Sequence, residues 1–199
     1  MNLALRQKKV LDPVLICEKE CYETLCGRAE PKIQEPYVLA YILDPSPCIG
    51  GQIVRIADAM DEDVVVIFNE GGDKEKQMQR LGGCGHPRIL PLRSVSAYDW
   101  LWYFQNATYV LTDSYHGTCF ASIFNKSFIA LRNQKRGAER FDELVKMLNA
   151  ESFLVEEEED LAESFAGMVY QEDAGNEDRS RLEQEKKESL GWLKRALMQ

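Results

Sequence analysis

The sequence predicts an α/β fold, a Rossmann-like parallel sheet with helices on both faces. Three observations carry that expectation. Short unbroken apolar runs recur along the chain at Tyr37–Leu43, Val64–Phe68, Tyr109–Thr112 and Phe128–Leu131. Strands buried on both faces read in this way, without apolar–polar alternation. Between the runs lie segments whose apolar residues repeat at helical spacing, so strands alternate with helices. Glycine, proline and polar residues punctuate the joins. In such sheets, ligands sit beyond the carboxyl ends of the strands.

The totals set bounds. The chain has 199 residues, 45% hydrophobic and 29% charged, enough for a domain with a packed core. Its formal net charge of -9 argues against nucleic acid or an anionic membrane surface as partner. An anionic ligand therefore has to be held by a local cluster of cations. No apolar run is long enough to span a bilayer, and Met1–Gln7 is too short and polar for a signal peptide, so a cytoplasmic location is expected. Six cysteines stand at 17, 21, 26, 48, 84 and 119, with Cys84 beside Gly85 and His86. No paired C-x-x-C spacing is present, so free thiols are expected and no metal site.

In chain order, residues 1–9 form a leader and Val10–Ile16 an extended segment interrupted by Pro13. Glu18–Cys26 reads as a helix closed by Gly27, and Arg28–Pro36 as a linker. The strand Tyr37–Leu43 leads through a loop, Asp44–Gly51, into a helix over Gln52–Met60 with its stripe at Ile53, Ile56, Ala57 and Met60. Val64–Phe68 is a β-branched strand. Asn69–Pro87 is polar and glycine-rich and receives no element. Ile89–Leu92 is a third strand. Ser96–Asn106 is an aromatic-rich helix with Ser96 as its N-cap, its rings spaced for core packing. Strand Tyr109–Thr112, helix Thr118–Phe124 and strand Phe128–Leu131 follow. Arg140–Leu148 is amphipathic, Glu156–Asp160 is a solvated acidic run, Leu161–Tyr170 a helix and Glu172–Asp178 a linker. Arg179–Leu197 is a long last helix. The expected organisation is a lead-in segment and linker (1–36), a Rossmann-like domain (37–170) and a C-terminal helix packing back on it (171–199).

The stretch T-D-S-Y-H-G-T-C-F-A-S-I-F-N, Thr112–Asn125, concentrates the chemistry. It turns from a strand into a helix, and it holds His116, one of two histidines, followed by Gly117. Glycine lets a ligand approach the backbone, and free N–H groups at a helix start favour an anion. A phosphate or carboxylate site is expected there.

The same stretch, continued by K-S-F-I, resembles the signature of the polysaccharide pyruvyl transferase family, T-D-S-[FY]-H-G-T with F-N-K-P-F-I downstream. The D-P-V-L-I run at Asp12–Ile16 and the W-L-x-x-x-x-N-A run beginning at Trp100 extend the resemblance. It implies one domain of a two-domain GT-B-like architecture, the C-terminal one, with a partner domain preceding it. It implies transfer of pyruvate from phosphoenolpyruvate to two hydroxyls of a sugar, forming a ketal during cell-surface polysaccharide synthesis. No organic cofactor is implied. The acceptor would be a sugar or lipid-linked oligosaccharide.

That reaction needs cations and N–H groups for the donor's phosphate and carboxylate, and an acid to protonate its methylene carbon. His116 is the candidate for both holding phosphate and acting as the acid. Asp113 would orient His116, bind a sugar hydroxyl, or cap the following helix. Ser114 and Thr118 offer hydroxyls to the phosphate or make local turn hydrogen bonds. Some family members carry arginine two residues before the histidine, where this chain has Ser114. Arg93, Arg132 and Arg140 are the candidates to supply that charge, Arg140 matching an R-[FI]-x-x-L helix of the family. Lys126 lies in the F-N-K motif. Two other readings stay open: a GT-B-like glycosyltransferase-type domain binding a nucleotide-sugar, and a non-catalytic half-domain that self-associates or binds a partner.

Overall fold

The computed structural model describes residues 10–34, 36–69, 73–82, 85–132, 138–150, 153–156 and 180–198. Among these, six strands form one parallel sheet: β1 (Tyr37–Ile42), β2 (Asp63–Phe68), β3 (Ile89–Pro91), β4 (Tyr109–Thr112), β5 (Ser127–Leu131) and β6 (Leu154–Val155). Their spatial order is β3-β2-β1-β4-β5-β6. The chain therefore winds outward from β1 in one direction and from β4 in the other, and the order reverses between these two neighbours. Register is continuous there, Val38 opposite Tyr109 and Tyr41 opposite Thr112.

Period-two alternation sends successive side chains to opposite faces. Val38, Ala40, Ile42, Val64, Val66 and Phe68 pack on one face against Ile49, Ile53, Ile56 and Ala57 of α3 (Pro47–Met60). Leu39, Val65, Ile67, Val110, Phe128 and Ala130 pack on the other against α5 (Ala97–Asn106), α6 (Tyr115–Ile123) and α7 (Ala138–Met147). Each large side chain fully buried this way stabilises the fold by about 1.5–3 kcal/mol. Both faces being covered, the expected Rossmann-like α/β class is the observed one.

Several boundaries move for local reasons. Val10–Ile16 is not extended throughout: α1 (Pro13–Ile16) is a single helical turn, because Asp12 accepts a hydrogen bond from Val14 N–H (3.2 Å) as N-cap and Pro13 suits the first helical position. Likewise α3 starts at Pro47 rather than Gln52, capped by Ser46 Oγ (3.1 Å from Ile49 N). In the stretch left without an element, α4 (Lys74–Arg80) forms behind the cap Asp73. The N-cap expected at Ser96 is present, and Asp99 extends it into a capping box. α2 (Lys19–Cys26) and α8 (Ser180–Leu197) frame the lead-in. Leu11 N–H donates to Ser189 Oγ (3.0 Å), and Lys186 pairs with Glu18 (3.0 Å), so α8 lies against α1 and its flanks. The helix expected over Leu161–Tyr170 and the linker Glu172–Asp178 lie outside the described residues, as does Cys84. Among the described residues, Cys17, Cys21, Cys26, Cys48 and Cys119 form no disulfide.

Candidate functional site

The site is built at the β1/β4 reversal, where the loops after the two strands part to opposite faces. Three buried side chains of the signature hold that gap. Thr112 Oγ1 donates to Tyr41 C=O (2.7 Å) and accepts from Ser114 N–H (3.1 Å). Asp113, 2% exposed, accepts from the N–H groups of Leu43 (2.6 Å) and Asp44 (2.8 Å), tying the loop after β1 to the turn after β4. Ser114 Oγ accepts from Gly117 N–H (3.2 Å) and is the N-cap of α6.

These contacts correct the roles expected of the turn. Asp113 does not cap the helix; its carboxylate accepts from the backbone donors Leu43 and Asp44. Ser114 is the cap, and Thr118 Oγ1 turns back to Ser114 C=O (3.2 Å) with no exposed surface to offer a phosphate. Gly117 lies inside the first helical turn, not in a ligand-facing loop. A Cβ there would collide with Thr112 Oγ1, so the glycine exists to let α6 pack against β4. The helix begins at Tyr115 rather than Thr118, which puts His116 on its first turn.

His116 is the exposed member, with 54% of its side chain accessible. Its Nε2 lies 3.5 Å from Asp12 Oδ2, within ion-pairing distance, and Asp12 is only 15% exposed. Arg140 reaches the same carboxylate oxygen (3.7 Å), and its guanidinium lies 4.4 Å over the ring of Tyr115. Burial, with the nearby Cys119 and Asp12, pushes the Tyr115 hydroxyl up to about 12 against the opposing effect of Arg140. Burial also pushes the Cys119 thiol up, so this cysteine of the signature stays protonated and is no nucleophile.

The remaining cations divide. Arg93 stands past β3 and, with Lys74 and His116, lines a cavity of about 700 Å³ at the carboxyl ends of β1, β2 and β3. Arg132, just past β5, is engaged by Asp142 (3.0 Å) and Glu156 (2.9 Å) and does not join His116. Lys126 follows the C-terminal end of α6, at the opposite edge of the sheet, where burial and then Lys19 lower its affinity for a proton. Asn125 beside it takes the left-handed conformation (φ 57°) that ends the helix. The structure thus brings together His116, Arg140 and Asp12, and places Arg93 across the cavity.

The sequence profile of the polysaccharide pyruvyl transferase family matches residues 8–135. The chain belongs to that family. The match takes in Asp12, the signature turn and the cavity wall, so the described site falls within the family's shared region, while Arg140 and α8 lie beyond it. A search of curated protein sequences returns no significant match.

Among solved structures, this pyruvyl transferase family member resembles the UDP-GlcNAc 2-epimerase of Methanocaldococcus jannaschii in complex with UDP-GlcNAc and UDP. The TM-score is 0.61 at 16% identity, covering 86% of this chain and 51% of that one. The UDP-GlcNAc 2-epimerase of Neisseria meningitidis bound to UDP-GlcNAc gives 0.57 at 16% identity, with coverages of 89% and 48%. The chain spans about half the length of these structures. At such identities the likeness establishes the fold, a Rossmann-like domain resembling one half of a GT-B-type enzyme.

Asp12 is the site residue that sequence reasoning missed. Its signal was present in the Asp-Pro pair of a capped helix start. What no local pattern conveys is that this turn packs against the first turn of α6, far along the chain.

Proposed function

We propose that this domain transfers pyruvate from phosphoenolpyruvate to a sugar diol, with His116 as the acid. The observation that supports it most directly is the placement of His116: an exposed imidazole on the first turn of α6, backed by the largely buried carboxylate of Asp12, at the lip of a cavity beyond the strand ends. The imidazolium donates its proton to the donor's methylene carbon. A sugar hydroxyl oxygen bonds to the carbon bearing the phosphate, and the bond to the phosphate oxygen breaks as the second hydroxyl adds. Of the two hydroxyl protons, one restores His116 and the other leaves with inorganic phosphate, so charge and atoms balance. Arg140, stacked on Tyr115 beside Asp12, supplies the cation for the donor that Ser114 does not.

The whole reaction would be completed by a second domain facing this edge of the sheet, where two-domain enzymes of this fold hold their substrates. Release of phosphate from phosphoenolpyruvate in the presence of a sugar acceptor, by the full-length protein, tests the reading. His116→Ala should reduce it by a factor on the order of 100 to 10,000; retention of wild-type turnover would overturn the assignment. A second reading, a GT-B-like domain for a nucleotide-sugar, draws on the aromatic cavity and on the UDP-GlcNAc held by the two epimerases of similar fold. Stabilisation by UDP-GlcNAc but not by phosphoenolpyruvate would favour it.

A further inference from the structure

We propose that Asp12 is a positioning residue for His116, and that it fixes Nδ1 of the imidazole as the nitrogen that exchanges the proton. This deepens the transferase reading, and rests on it only in naming the donor's methylene carbon as the proton's destination.

The carboxylate of Asp12 is divided between two tasks. Its Oδ1 accepts from Val14 N–H (3.2 Å) and caps α1. Capping takes one oxygen, and serine or asparagine does it about as well as aspartate. The cap therefore gives no reason for a charge at this position. The other oxygen, Oδ2, lies 3.5 Å from His116 Nε2 and 3.7 Å from Arg140 Nη2. Only 15% of the Asp12 side chain is accessible, against 54% for His116. The imidazole is open to a substrate, and the carboxylate acts through it.

Asp12 is also firmly held. Separate elements tie the chain on both sides of it. Leu11 N–H donates to Ser189 Oγ of α8 (3.0 Å), and Val14 C=O accepts from the Tyr22 hydroxyl of α2 (2.9 Å). Tyr22 in turn stands edge-on to Phe120 of α6 (4.9 Å, 80°), the helix that carries His116. The imidazole has a second neighbour in Tyr115, edge-on at 5.5 Å and 84°, and Arg140 covers that ring at 4.4 Å. A group that must present one proton in one direction needs support of this kind.

The contact selects the nitrogen. A carboxylate only accepts, so Nε2, facing Oδ2, keeps its hydrogen in both protonation states of the ring. The nitrogen that changes is Nδ1. It gives its hydrogen to the methylene carbon, leaving a neutral Nε2–H ring, and takes a hydroxyl proton back at the same atom. Without the carboxylate the neutral ring exchanges tautomers, and in one of them Nδ1 carries a hydrogen where an acceptor is needed.

The test is Asp12→Asn, which keeps an oxygen for Val14 N–H and puts an amide nitrogen where Oδ2 stands. Its melting temperature should stay within about 3 °C of wild type. Long-range nitrogen–proton correlation spectra of the 199-residue chain, at about pH 9 where an ordinary imidazole is neutral, read the tautomer. The spectrum of His116→Ala assigns the ring, since His86 is the one other histidine. Wild type should show Nε2–H, and Asp12→Asn a shift towards Nδ1–H, because the amide donates to Nε2. In the full-length protein, kcat for phosphate release from phosphoenolpyruvate should fall at least about tenfold, and no further than in His116→Ala. KM for phosphoenolpyruvate should change about threefold or less. An Nδ1–H ring in wild type, an unchanged tautomer in Asp12→Asn, or a loss carried by KM alone would each overturn the proposal. So would a larger fall in melting temperature, by making the charge of Asp12 part of the frame. If wild type releases no phosphate from phosphoenolpyruvate, the transferase reading fails and the tautomer result stands.

Discussion

Thr112, Asp113 and Ser114 are buried, with their polar atoms committed to the backbone, whereas His116, two residues further on, leaves 54% of its side chain accessible. The two sets share one short turn, and a sequence pattern treats them alike. The structure separates them by what they touch. The buried set holds the gap between β1 and β4 at a fixed width and starts α6 at the right residue. The exposed imidazole then inherits its position. Much of the signature therefore encodes geometry.

Breaking the buried set should cost stability first. Asp113→Ala has the largest expected effect, about 2–4 kcal/mol, because it strands the N–H groups of Leu43 and Asp44 at a buried site. Urea denaturation measures it, and a loss under about 1 kcal/mol would mean that water replaces the carboxylate. Gly117→Ala comes next, about 1–3 kcal/mol, since the added methyl meets Thr112 and α6 has to shift. Gly51 is the internal control: it also lies in a helix, yet a Cβ there meets nothing within 4 Å. Gly51→Ala should stabilise by about 0.5–1 kcal/mol. Ser114→Ala removes the cap of α6 and should cost about 1 kcal/mol.

Strands β1, β2, β4 and β5 were legible because each is a largely buried run, and the helices of the two covering layers because their stripes repeat. Their starting points were harder. Ser46-Pro47 and Ser114 shorten the loops by launching helices early, and capping competes with the turn chemistry that the same residues signal. Helix α4 has no buried residue and β6 only two residues in all, so neither carries a periodic pattern. In the signature turn, the sequence singled out His116 but not the Asp12 that it meets. Arg132 and Arg140 look equivalent in sequence, but Asp142 and Glu156 close on the first, while the second reaches Asp12. Such choices depend on tertiary contacts between distant segments.

Tyr115 sits between the two sets, half-buried, and offers a pH-dependent test. Its hydroxyl is pushed up to about 12 in the folded state by burial, above the ordinary value near 10. A group whose folded pKa is raised contributes stability that is fully present below the unfolded value and is lost as pH rises through the folded one. Stability should therefore decline between about pH 10 and 12, and Tyr115→Phe should remove part of that decline while leaving neutral stability nearly unchanged. Denaturation midpoints across that range check it; an identical alkaline decline in the variant would show that Tyr115 is not its source.

The smallest effect on stability belongs to His116. Its imidazole meets Asp12 at 3.5 Å with half its surface in water, and an exposed pair of this kind contributes at most about 1 kcal/mol. His116→Ala should therefore shift stability by about 0.5 kcal/mol or less, a fraction of the Asp113→Ala loss, although the two residues lie in one turn. If phosphate release from phosphoenolpyruvate falls sharply in the same variant, fold and chemistry are divided between neighbouring side chains as the contacts indicate. A destabilisation by His116→Ala as large as that of Asp113→Ala would instead make the imidazole part of the frame, and any loss of activity would then follow from the fold.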